Sequence, residues 1–69
     1  AASLVAVNAT DTSFIGAYMC AANLATANLR GANLYQANLE IANLQGAVAD
    51  NETVWPDEFD PEAAGVIFK

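Results

Sequence analysis

A five-residue repeat limits the folds available to this chain more than any other property of its sequence. Residues 22–46 read ANLAT-ANLRG-ANLYQ-ANLEI-ANLQG, and the same register continues more loosely on both sides. Ten such pentads cover residues 2–51. The central position of the upstream pentads holds Leu4, Phe14 and Met19, with Ala9 as the exception. Any fold must therefore give equivalent surroundings to every fifth residue.

A period of five fits neither an α-helix nor a continuous strand. On a helix of 3.6 residues per turn, five residues advance by a net ~140°, which scatters the Leu side chains around the cylinder. On a strand, an odd period sends successive Leu residues to opposite faces. A chain that turns by a fixed angle every five residues directs all of them to one axis. The pattern therefore predicts an all-β solenoid of stacked coils.

This register predicts which side chains form the core. The central residues and the Ala residues two positions before them should point inwards, whereas the Asn residues should lie nearer solvent or bond the backbone. The predicted structural core consists of Phe14, Met19, Leu24, Leu29, Leu34, Leu39 and Leu44.

The A-N-L-x-x tandem resembles the pentapeptide-repeat family, whose consensus is A-(D/N)-L-x-x. Five consecutive pentads match this consensus, and the resemblance covers about 50 of the 69 residues. It implies a right-handed quadrilateral β-helix with four pentads, or twenty residues, in each coil. Ten pentads then give about two and a half coils.

The tail from residue 52 onwards departs from the repeat. It contains both Pro residues and the only Trp, and it is similar to the T-x-W-P-x-x-F-D-P-x-x-A-G segment that closes cyanobacterial-type members of the family. Asp60 suits a helix N-cap, Pro61 the first helical position and Gly65 the stop, which predicts a short helix near 61–64. Trp55 and Phe59 should cover the open end of the Leu column. We therefore divide the chain into a β-helix, 1–51, and a C-terminal cap, 52–69.

The composition gives little support to catalytic, metal-binding or nucleic-acid-binding functions. There is no His, and the single Cys allows neither an internal disulfide nor a CxxC zinc site. The net charge of −6 opposes binding to phosphates, and no apolar run approaches the ~20 residues of a membrane span. The acidic pairs of the tail are interpreted as a solvated face. We predict no enzymatic activity, no cofactor and no metal.

Candidate partner surfaces follow from the coil length. Residues twenty apart lie on neighbouring coils, so Ile15 should lie against Tyr35, with Tyr18 nearby. These three exposed residues are either a partner surface or incidental apolar exposure. The open first coil at Leu4 is a second candidate, for a homodimer through the N-terminal end.

Three functional hypotheses follow. The first is a non-catalytic scaffold that binds a protein partner of unknown identity. The second, implied by the family resemblance, is an acidic DNA mimic that interacts with a topoisomerase such as gyrase. The third is an accessory subunit of a larger, photosynthetic assembly, suggested by the cyanobacterial-type tail. We favour a cytoplasmic location; a leader removed before Ala1 would instead direct the chain to the thylakoid lumen or periplasm.

Overall fold

Backbone pairing between residues twenty positions apart organises the chain into stacked coils. The computed structural model describes residues 3–69, which measure 26 × 21 × 21 Å along their principal axes. Parallel bridges join the first coil (3–22) to the second (23–42), as in Ser3↔Asn23 and Tyr18↔Asn38. Further bridges, including Asn23↔Asn43, join the second coil to the third, which begins at residue 43. Four pentads therefore complete one turn of a four-sided β-helix.

The central position of each pentad defines one of four faces. Face 1 contains Leu4, Leu24 and Leu44; face 2 contains Ala9, Leu29 and Ala49; face 3 contains Phe14 and Leu34; and face 4 contains Met19 and Leu39. The side chains of the repeat Leu residues are buried, and four of them, at 24, 29, 34 and 44, are almost completely so. The Ala row at 22, 27, 32 and 37 is buried beside them. Small and large inward positions together fill a narrow apolar column.

Phe14 is only partly buried, although the repeat pattern places it in the core. Its ring packs against the buried cluster, as do Leu4 and Val7 of the same coil. Among the described residues no coil lies on the other side of this one. The lower face of its side chains therefore has less cover than the equivalent Leu34 in the second coil.

Backbone hydrogen bonding explains the residue types of the repeat: in the pentad 27–31, which has coils on both sides, every amide has an acceptor. The Ala amide closes a turn onto the preceding central carbonyl, and the Asn and Leu amides bond the coils on either side. The amide after Leu donates to the Asn Oδ1, for instance from Arg30 to Asn28 at 3.2 Å. The last amide bonds the neighbouring coil again, as Thr26 does to the Gln45 carbonyl. Asn is thus favoured at this position because its side chain accepts from the one amide that no coil can reach.

The last residue of each pentad up to Gly46 turns the corner with a positive φ. Gly31 illustrates the requirement, with a φ of +70°. A side chain at Gly31 would also meet the Asp11 carboxylate of the coil below. The other corners are occupied in part by residues that carry a Cβ, including Thr26 and Ile41. A positive φ is unfavourable for L-residues and most unfavourable for β-branched ones.

Ile41→Gly is expected to stabilise the protein. Ile41 has a φ of 53° and a side chain that is 79% exposed, so it bears a backbone penalty without a packing gain. Relief of the ~1–2 kcal/mol left-handed penalty, less the ~0.5–1 kcal/mol entropic cost of Gly, leaves a net gain of about 0–1.5 kcal/mol. Thermal unfolding followed by circular dichroism measures this gain as a higher midpoint.

Ile15→Gly is the matched control for this substitution. Ile15 is also exposed, but it lies one position earlier in its pentad and is not among the residues with positive φ. The same change should therefore lower the midpoint, because only the entropic cost of Gly remains. Equal shifts for the two variants would contradict the assignment of strain to residue 41.

Two short strands lie at the upper end of the solenoid. β1 spans Val48–Ala49 and β2 spans Ile67–Phe68; they pair in parallel, with Val48 opposite Ile67. Val54 also pairs with Asn33, at a spacing of 21 residues instead of 20. Backbone pairing between coils thus extends beyond residue 51 into the tail.

The tail contains no helix within the described residues, contrary to the short helix predicted near 61–64. Asp60 does act as a cap, since its Oδ1 accepts from the amides of Glu62 and Ala63 at 3.1 and 3.3 Å. Residues 61–65 then form consecutive turns, because the Val66 amide returns to the Pro61 carbonyl at 3.1 Å. Gly65, with a φ of +90°, ends the turns before a second helical turn can form.

Candidate functional site

Ile15, Tyr18 and Tyr35 form a lateral patch of exposed apolar and aromatic side chains. The Gly16 amide donates to the Tyr35 carbonyl at 3.0 Å, which fixes Ile15 and Tyr35 at the same corner of adjacent coils. Ile15 is 56% exposed, Tyr35 45% and Tyr18 79%. Tyr18 follows three residues after Ile15, at the Asn position of face 4. The backbone ladder thus holds three large side chains in a fixed arrangement on the outer surface.

Tyr18 and Cys20 flank the buried Met19 and both point outwards. The nearby Cys20 thiol raises the pKa of the Tyr18 phenol above its ordinary value, first through its hydrogen-bonding capacity and then through its charge. Cys20 is the single Cys of the chain and is partly buried.

Asp50 supplies a hydrogen-bond acceptor at the corner where the third coil contains an extra residue. Its Oδ1 accepts from the Gly31 amide at 3.1 Å, replacing the backbone carbonyl used at regular corners. It also accepts from the Glu52 amide at 3.0 Å, and at 3.3 Å it shares the proton of the Thr53 hydroxyl with the Leu29 carbonyl, which is nearer at 2.8 Å. Desolvation on its own raises the pKa of Asp50, but these hydrogen bonds, from Glu52 first and then Gly31 and Thr53, together lower it below its usual value.

A groove opens on face 4, between the second coil and the tail. It is lined by 36–40 on the coil side and by 56–59 on the tail side, and its volume is about 610 Å³. We call this feature the face-4 groove. Glu40, Asp57 and Glu58 line it, and all three side chains are exposed. Neither Lys nor Arg is among its lining residues, so the groove is acidic.

The aromatic residues of the tail lie beside this groove. Trp55 follows Val54 just as Leu34 follows Asn33, which places the indole over the Leu column. The Trp55 and Phe59 rings stack with centroids 5.4 Å apart, and both pack against the buried cluster. The Trp55 Nε1 is buried and has no hydrogen-bond partner in the described part of the chain.

The acidic residues do not converge on a metal-binding geometry. Within residues 3–69 no group of three or more His, Cys, Asp or Glu side chains could hold a metal ion. The acidic residues at 57, 58, 60 and 62 are all exposed. The same part of the chain contains no helix with the length and apolar character needed to cross a bilayer.

The repeat itself decides the family. The family model described as Pentapeptide repeats matches residues 2–40 in eight copies, which is more than half of the chain. The chain belongs to the pentapeptide-repeat family. Pentapeptide-repeat proteins form right-handed quadrilateral β-helices, and the four-sided coils described above have this architecture. The family consists generally of structural, non-enzymatic modules.

Two solved pentapeptide-repeat structures are similar to this chain. One is Rfr23 from the cyanobacterium Cyanothece 51142, with 42% identity and a TM-score of 0.76 over 77% of this chain and 36% of that chain. The other is alr5209 from Nostoc Pcc 7120, with 30% identity and a TM-score of 0.58 over 99% of this chain and 77% of that chain. The present chain thus corresponds to little more than a third of the Rfr23 structure. No curated protein matches the chain.

The sequence resemblance to pentapeptide-repeat proteins is therefore confirmed, as is the right-handed β-helix. The structure places Ile15 and Tyr35 at one corner of adjacent coils and Tyr18 on the neighbouring face 4, all three exposed. Trp55 and Phe59 lie together at the upper end of the column. The division into 1–51 and 52–69, and the role of each of these residues, stay predictions.

Repeat-based reasoning missed two features of this pentapeptide-repeat chain. One is the hydrogen bond from the Gly31 amide to the Asp50 side chain. The sequence carries a signal for it, because the spacing from Ala49 to Trp55 is six residues instead of five. The other is the face-4 groove, which has no local signal. It forms because the tail leaves the path of the coil after Trp55, and that path depends on how the aromatic rings pack.

Proposed function

We propose that this chain is a non-catalytic interaction module that binds a protein partner through the lateral patch. The observation that carries the proposal is the exposure of Ile15, Tyr18 and Tyr35 on a scaffold whose backbone is bonded from coil to coil. Tyr and other large side chains are enriched among the residues that dominate binding energy at protein interfaces. A preformed patch also loses little conformational entropy on binding.

Charge supports this proposal more than mimicry of DNA. Six of the eight acidic residues lie between Asp50 and Glu62, at one end of the solenoid, and only Asp11 and Glu40 lie within the earlier coils. A duplex mimic needs phosphate-like charges spaced along its length. Membership of a larger assembly, including a photosynthetic one, is a special case of the same scaffold role, in which the lateral patch contacts another subunit.

The experiment is affinity capture with wild-type and substituted chains. The double variant Ile15→Ser/Tyr35→Ser removes two of the three patch side chains, whereas Val5→Ser/Ile67→Ser removes two comparably exposed apolar side chains from faces 1 and 2. A specific partner should be retained by the wild type and by the control. With that partner purified, calorimetry should show binding weakened about tenfold or more by the patch variant, as expected for interface residues worth above ~1.4 kcal/mol.

The control makes the proposal falsifiable. Unfolding midpoints measured on both variants separate a lost contact from a lost fold. Equal affinity of the partner for the patch variant and the wild type would contradict the lateral patch. Self-association through the first coil is a separate proposal, which Leu4→Glu tests by light scattering.

A further inference from the structure

The coil-to-coil ladder is interrupted at face 4. On faces 1 to 3 of the second coil, the central amides of Leu24, Leu29 and Leu34 donate to the next coil at 2.7–2.8 Å. On face 4 of the first coil, Met19 donates to the Asn38 carbonyl at 2.8 Å. Within residues 3–69, the equivalent amide of Leu39 has no acceptor.

The missing bonds correspond to one parallel bridge. Carbonyls at the Ala position accept from the next coil elsewhere, as Ala17 accepts from Asn38 and Ala32 from Val54, both at 2.9 Å. The Ala37 carbonyl has no such donor in the described part of the chain. Ala37 and Leu39 both line the face-4 groove. The groove is thus lined by one acceptor and one donor that lack partners, in the spacing that a β-strand recognises.

The corner amides at both ends of this gap are open as well. The amides of Gly16 and Ala21 bond to the second coil at 3.0 and 2.9 Å. Their counterparts one coil higher, Gln36 and Ile41, donate no hydrogen bond within residues 3–69. The opening therefore extends over a whole side of the solenoid, about as long as one short strand segment.

We infer that the face-4 groove binds an extended, Lys- or Arg-containing peptide segment of a partner protein, which adds to the solenoid at Ala37 and Leu39. The open backbone groups supply the pairing that β-augmentation uses. Glu40, Asp57 and Glu58 determine the charge of the occupant, since all three are exposed along the groove. A second copy of this chain, with a net charge of −6, and a nucleic acid are both disfavoured by the same carboxylates. This surface adjoins the lateral patch, since Tyr18 pairs with Asn38 of the groove, but it binds through backbone groups and carboxylates that the patch does not use, and it goes beyond the proposed function.

Amide hydrogen exchange on the free protein tests the open edge. In the ¹⁵N-labelled chain, the Leu39 amide should exchange about tenfold or more faster than those of Leu24, Leu29 and Leu34, because it lacks a hydrogen bond worth roughly 1 kcal/mol or more. Protection of Leu39 equal to that of Leu34 would mean that the edge is closed, and would overturn the inference.

Peptide titration tests the occupant. The probe is an acetylated and amidated hexapeptide that alternates Lys and Val; the control alternates Glu and Val. The basic peptide should shift the resonances of Gln36, Leu39 and Ile41 and slow exchange at Leu39. Equal binding of the acidic peptide, shifts confined to other faces, or no binding at millimolar basic peptide would each overturn the inference.

Two variants assign the binding to the groove. Glu40→Gln/Asp57→Asn/Glu58→Gln should weaken the basic peptide about tenfold, the combined effect expected of three exposed charges worth ~0.2–1 kcal/mol each. Raising the salt concentration should weaken binding to the wild type in the same direction. Ile15→Ser, in the lateral patch, should leave the affinity unchanged. If the triple variant bound the basic peptide as tightly as the wild type, the carboxylates would not select the occupant and the inference would be overturned. If Ile15→Ser lost the peptide, the binding site would lie at the lateral patch and not in the groove.

Discussion

Replacing Leu34 with Ala should lower the free energy of unfolding by about 2–5 kcal/mol, the range measured for buried Leu residues. Leu34 has no exposed side-chain surface, and it lies in the second coil with pairing on both sides. A domain of this length is stable by only about 3–10 kcal/mol, at ~0.05–0.15 kcal/mol per residue. The cavity would therefore remove a large share of the total stability.

Urea unfolding followed by Trp55 fluorescence measures the effect as a lower midpoint with an unchanged slope. Leu34→Met preserves most of the volume and should cost less than ~1.5 kcal/mol, so it reports on position 34 even if the Ala variant does not fold. Tyr35→Ala, at the adjacent exposed position, is the matched surface control. A shift for Leu34→Ala no larger than that for Tyr35→Ala would contradict a central place for Leu34.

The regular part of the fold could be predicted from the sequence because the same turn and the same pattern of backbone hydrogen bonds recur from pentad to pentad. An odd period forces a turn every five residues, and Asn at the second position accepts from an amide that would otherwise have no partner, as Asn43 does from Gln45. These features recur in each of the five consensus pentads, 22–46. A predicted register shifted by one residue in every pentad would have placed the repeat Leu residues in solvent.

The tail could not be predicted in the same detail, because its conformation depends on contacts that occur once in the chain and are not repeated. The extra residue near Asp50 shifts the spacing of Val54 to 21, and the later pairing of Ile67 with Val48 returns it to 19. Good capping residues at Asp60 and Pro61 predicted a helix, yet the Val66 amide closes onto Pro61 and β2 then pairs with β1. Tertiary pairing here overrides local helix propensity. The face-4 groove is a consequence of this departure.

Deleting residues 52–69 should destabilise the solenoid and cause it to associate. The deletion removes Trp55 and Phe59 from the end of the column, together with the buried Val66. It also leaves the Leu34 amide without the Val54 carbonyl, and the Leu29 carbonyl without the Thr53 hydroxyl at 2.8 Å. An apolar surface edged by unpaired backbone groups is a template for pairing with another chain.

Light scattering and circular dichroism on the 1–51 chain measure these effects as a higher molar mass or a lost β signal. Trp55→Ala in the full chain separates loss of the aromatic cover from loss of the backbone pairing. It should lower the unfolding midpoint, by less than the ~3–5 kcal/mol typical of a fully buried Trp because Trp55 is only partly buried. Glu62→Gln, on the exposed turn of the tail, is the control and should change neither property. If the 1–51 chain stayed monomeric with the midpoint of the full chain, the tail would have no capping role, and the stability of the column end would have to come from the third coil alone.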